Sequence, residues 1–125
     1  MISYSVIILL SLIHWESDFS MQTSEMATGK STSNYWLTLH VLVYTGVTFL
    51  FWRFFIFDPS VVYSLWDYTK FILFIFSTHW VTDYITSRIT GKLYKENKYH
   101  EFFAMIGIDQ VLHLIQILTA YKLFV

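Results

Sequence analysis

The sequence predicts an all-α integral membrane protein, a four-helix bundle whose antiparallel helices run up, down, up and down across the bilayer. Three observations predict it. Hydrophobic residues make up 55% of the chain and aromatic residues 21%, against 14% charged, where soluble domains carry roughly 25% charge. A soluble fold of 125 residues has too little interior to hide that much apolar surface. Four stretches approach the roughly 20 residues that a helix needs to cross a hydrocarbon core, and the polar connections between them are short enough to make successive helices neighbours. The chain then forms a single transmembrane domain over 1–125.

The first helix is expected from about Ile2 to Met26, apolar as far as Ile13 and amphipathic beyond. Its opening, "MISYSVIILLSLIHWESDF", lacks the positive start and small-residue cleavage site of a signal peptide and is expected to stay in the mature chain. The second helix, about Tyr35 to Phe57, follows "TGKSTSN", whose Ser and Asn residues make good N-caps. At "FDPS" Asp58 is expected to cap a third helix and Pro59 to occupy its first turn, with that helix running from about Ser60 to Thr90. The fourth begins near "ENKYHEFF", capped by Asn97, and continues to the C-terminus. Lys30, Arg88, Lys92, Lys95 and Lys98 lie at the ends joined by the first and third loops, against Arg53, Lys70 and Lys122 at the other. The positive-inside rule then turns both termini away from the cytoplasm.

Composition also excludes chemistry. A net charge of −1, with no basic stripe interleaved with aromatics, gives no reason to expect nucleic acid as a partner. Without cysteine there is no disulfide, thiolate ligand or cysteine nucleophile. The chain has no HExxH, Walker A, GxGxxG or GxSxG motif, and the ExxH pairs of soluble di-iron bundles are missing.

What remains is a recurring pair. His79 and Asp83, within "STHWVTDYITSR", are four residues apart; His14 and Asp18 repeat that spacing, with Gln22 one turn further; Asp109 and His113 reverse it; His40 stands in the second helix. Residues four apart share a helix face. With turns near Glu96 and Pro59, a rise of roughly 1.5 Å per residue brings Asp83 level with Asp109, and His79 level with both His113 and His40. About the first loop, Gln22 falls level with His40, and His14 and Asp18 lie one or two turns deeper. Three aspartates at such depth cost roughly 8–10 kcal/mol if uncompensated. His14, Asp18, His40, His79, Asp83, Asp109 and His113 are therefore candidate metal ligands, a set suited to a divalent Zn, Fe or Mn ion.

Gln22, Gln110 and Arg88 are candidates for supporting the ligands or orienting substrate, and Arg88, one turn beyond Asp83, suits an anionic headgroup or phosphate. A plainer reading exists for each piece. His–Asp hydrogen bonds can pin helices together, His40 can be a core histidine, Gln22 and Gln110 can be interhelical glue worth about a kcal/mol or less, and Arg88 can be a membrane anchor. His100 beside Glu101 is expected to be solvated, Arg53, Asp67 and Lys70 to lie at the interface, and Trp36, Trp52, Trp66 and Tyr99 to join interfacial belts.

The order "HWESDFSMQTSEM", "HVLVYT", "HWVTDYITSR" and "DQVLH" resembles the small bacterial and phage membrane proteins of domain-of-unknown-function family 3307, over nearly the whole chain. The resemblance implies a multi-pass membrane protein, in the bacterial inner membrane, with a shared His, Asp and Gln set at His14, Asp18, Gln22, His40, His79, Asp83, Asp109, Gln110 and His113. It implies no activity. A fainter similarity in motif style is to membrane-bound metal-dependent hydrolases of the YdjM-like type. The function expected is a membrane-embedded His/Asp metal-binding protein, with hydrolysis of a lipid or lipid-linked phosphate as its activity. The alternative is a non-enzymatic module, conducting protons or metal ions or modifying the host envelope, in which the cluster is a hydrogen-bonded core. Membrane lipids are the expected partners, and a homo-oligomer is compatible with the sequence.

Overall fold

The computed structural model describes residues 1–125. The chain forms five α-helices and no strand: α1 (Tyr4–Trp15), α2 (Ser24–Gly29), α3 (Asn34–Phe55), α4 (Leu65–Lys95) and α5 (Tyr99–Phe124), with a π-helical turn over Glu16–Ser20 continuing α1. The single helix expected over Ile2 to Met26 is thus divided. Its polar stretch supplies hydroxyls that compete with the helix for backbone groups, and Thr23 accepts from the Met26 backbone N–H to start α2 afresh. The π turn carries one more residue per turn than the α form, and such turns are frequent at functional sites.

Other boundaries moved for similar reasons. Asp58 does not cap a helix; it accepts from the backbone N–H and the hydroxyl of Ser60 at 2.8 and 2.7 Å, closing a local turn. The cap of α4 is Ser64, which with Asp67 forms a reciprocal capping box, a stronger start than Pro59 with the β-branched Val61 and Val62 just beyond it. At its other end α4 runs past Thr90 to Lys95. Asn97 takes a left-handed φ of 57°, which asparagine tolerates better than most side chains, and ends α4 instead of capping α5. Ser33 caps α3, as the "TGKSTSN" loop leads one to expect.

Helix α4 packs along both α3 and α5, α1 packs against α3 and α5, and α2 lies against α3. Toward one end the interior is apolar, with Leu10, Trp52, Phe71, Ile75 and Ile117 almost wholly buried. Toward the other end it is ionisable. His40, His79, Asp83 and His113 are each 1% exposed, while Leu42, Leu50, Leu73, Val111 and Ile115 on the same helices face outward. Two helices, α3 and α5, are long and apolar enough to cross a membrane; α1 is too short at 12 residues.

Candidate metal centre

Each of the long helices, and the π turn, delivers polar side chains to one place. The π turn carries Asp18, α3 carries His40, α4 carries His79 and Asp83 one turn apart, and α5 carries Asp109 and His113. Asp18, His40, His79 and Asp83 form one group that could hold a metal ion, and Asp83, Asp109 and His113 form a second. Asp83 is common to both. Its Oδ2 faces His40 at 3.2 Å and His79 at 3.6 Å, and its Oδ1 faces His113 at 2.9 Å.

The first group has the spacing of a coordination shell. His40 Nε2 lies 3.1 Å from Asp18 Oδ1 and 3.3 Å from His79 Nε2, and His79 Nε2 lies 3.4 Å from Asp18 Oδ1. Four ligands at bond lengths near 2.1 Å around a tetrahedral ion stand about 3.4 Å apart. One imidazole nitrogen offers one proton or one lone pair, so His40 Nε2 cannot hydrogen-bond all of its close neighbours. Stacking orients the rings: Tyr44 lies on His79 with centroids 3.8 Å apart, and His79 on His113 at 4.1 Å.

The second group can be read proton by proton. Gln116 must direct its amide Nε2 at the Thr78 carbonyl, 3.3 Å away, because a carbonyl only accepts. Its Oε1 therefore faces His113 Nδ1 at 3.3 Å, and that nitrogen must donate. In a neutral ring His113 Nε2 is then a bare lone pair, aimed at the Asp83 and Asp109 carboxylates at 2.9 and 3.4 Å. Such an arrangement holds only with a positive charge between the parts, either a metal ion or an added proton. Thr86 steadies Asp109 by donating its hydroxyl to Oδ1 at 2.6 Å.

The same accounting separates His14 from the others. Gln110 donates to Asp109 Oδ2 at 3.1 Å, so its Oε1 meets His14 Nε2, 3.2 Å away, and that nitrogen must donate. Nδ1 of His14 accepts from the Tyr44 hydroxyl at 3.2 Å. His14 is satisfied as a neutral ring, 3.7 Å from Asp18, and belongs to neither metal-holding group. Among the other candidates, Gln22 and Gln110 line the cavity beside the cluster. Arg88 lies in a neighbouring basic cleft with Lys92 and Lys95, stacked on Tyr84 and bonded to Asn34.

Two residues escape sequence reasoning. Gln116 carries no motif. Lys30, which the sequence presents as a loop cation, folds inward from the α2–α3 connection, and its Nζ reaches Asp83 Oδ2 at 2.8 Å. Burial works against its ammonium, but Asp83 and Asp18 outweigh burial and hold its pKa above the ordinary lysine value. Three carboxylates against this one ammonium leave the buried site net negative, and bound cations would offset that charge.

A cavity of about 510 Å³ adjoins the cluster, lined by Asp18, Lys30 and Asp109 of the site and by the apolar Phe19, Phe102 and Ile106 among others. Compared with known proteins, the chain matches the family model described as protein of unknown function, DUF3307, over residues 6–125. No curated protein and no solved structure matches it.

Proposed function

Because the chain belongs to the DUF3307 family, whose description assigns no activity, we propose its function from the site alone: a membrane-embedded metal centre that hydrolyses phosphate esters of lipids or lipid-linked carriers. The observation that carries this reading is His113 Nε2 set against two carboxylates, where a positive charge is needed, with Asp83 reaching from it into a second group of tetrahedral spacing.

In this reading Asp18, His40, His79 and Asp83 close around one divalent ion, Zn, Fe or Mn by donor type. Asp83, Asp109 and His113 would hold a second, beside the cavity that Asp109 lines. His14, Gln110 and Gln116 keep the ligands in place. A bound ion supplies an acidified water. Hydrolysis of the ester adds water across its P–O bond, so the leaving alkoxide must gain a proton. Asp109, which lines the cavity and is the least buried of the three carboxylates, would move that proton.

We take α1 with its π turn and α3, α4 and α5 as four antiparallel crossing helices in the bacterial inner membrane; the outward-facing apolar side chains and the two spans α3 and α5 support a membrane setting. A lipid substrate then reaches the cavity along its apolar wall. The protein should stay with membranes through an alkaline wash, and in detergent it should release phosphate from a lipid phosphate only when metal-loaded. Release that survives both chelation and Asp109→Asn would contradict the hydrolase. A second reading, a proton relay, takes the positive charge at His113 to be a proton; it predicts a cluster that binds no metal.

A further inference from the structure

Lys30 raises a question that the metal centre leaves open. Its ammonium lies 2.8 Å from Asp83 Oδ2 and 3.5 Å from His40 Nε2, so it occupies the edge of the first coordination group. An ammonium and a divalent ion that share the same carboxylate oxygen and imidazole nitrogen repel strongly in a buried setting. Both cannot stay there. The backbone of Lys30 is tied down, because its carbonyl accepts from the Ser87 hydroxyl at 3.2 Å. The side chain is free to swing on its four-carbon stem, and the space it can swing into is the cavity it already lines.

We infer that Lys30 is an exchangeable internal cation: it holds the carboxylates together without metal, and on metal binding its ammonium moves into the cavity and becomes the receptor for the anionic group of the substrate. The inference rests on the metal-centre reading and adds to it the residue that receives the substrate's phosphate or another compact oxyanion. The cavity is built for one. Lys95 lines it as a second ammonium beside the Lys30 stem, whereas the hydroxyls of Ser31, Thr86, Ser87 and Thr90 are already engaged, donating to Thr28, Asp109, Lys30 and Ser87. Ammonium donors beside a bound metal are what phosphate oxygens take. The device would also order the events, since the anion receptor becomes available only once the metal is in place.

The test is a calorimetric titration of the purified full chain with Mn²⁺, then of the loaded protein with inorganic phosphate, for wild type, Lys30→Met and Lys30→Arg. Removing the competing charge should tighten Mn²⁺ binding by about tenfold or more, while phosphate binding to the loaded Lys30→Met protein should weaken by a similar factor. Lys30→Arg should follow the wild type in both titrations. Circular dichroism shows whether each variant is folded, and if Lys30→Met is not, the comparison passes to Lys30→Gln. Equal Mn²⁺ and phosphate affinities in wild type and the uncharged variant overturn the inference and leave the metal centre standing. A folded wild type that takes up no Mn²⁺, Zn²⁺ or Fe²⁺ overturns the metal centre itself, and the inference with it.

Discussion

His14 and His113 look alike in sequence, each four residues from an aspartate, and the fold gives them different work. The amides of Gln110 and Gln116 decide it. Gln110 obliges His14 Nε2 to donate, whereas Gln116 obliges His113 Nδ1 to donate and frees Nε2. His113→Gln should therefore lose one equivalent of metal, while His14→Gln keeps the metal and loses about 1–3 kcal/mol of stability for its broken buried bonds. Elemental analysis beside thermal unfolding separates the two, and equal metal loss in both variants would refute the distinction. Sequence spacing marks which histidines are inside but not which way a ring is turned, because the deciding amides lie on another helix for His14 and one turn away, outside any motif, for His113.

At the scale of elements, most of the helical layout was legible and the first stretch was not. The rise per residue predicts His40, His79 and His113 at one level, and the structure has His79 Nε2 3.3 Å from His40 Nε2 and its ring stacked on His113. The same prediction fails for Asp18, expected deeper than His40 and found 3.1 Å from it, because the π turn and the break after Ser20 change the rise and rotation that a continuous helix would give. Lys30 was missed for the same reason, since its inward path depends on the short helix α2 that no periodicity announces. That path needs Gly29. A Cβ there would stand 2.5 Å from the Trp36 ring, so Gly29→Ala should push α2 away from α3, cost about 1–3 kcal/mol and withdraw Lys30 from Asp83. Unchanged thermal stability in Gly29→Ala would show that the connection is not tightly packed.

Over the whole molecule, polarity is arranged by depth. An aromatic interior built on Trp52, Phe57 and Phe71 holds one end of the helices, and the ionisable cluster replaces it at the other. Composition alone foretold an apolar exterior, and motif spacing foretold a polar interior. Neither could show that Asp83 joins two groups, which depends on one carboxylate facing His40 with one oxygen and His113 with the other. That sharing is the central claim, and the most direct measurement of it is the metal content of protein purified in mild detergent without chelator, for wild type, Asp83→Ala and Asp109→Asn. The account predicts about two equivalents of a divalent transition metal in the wild type, none in Asp83→Ala and about one in Asp109→Asn. A folded, metal-free wild type, or an Asp83→Ala protein that keeps its metal, would contradict it.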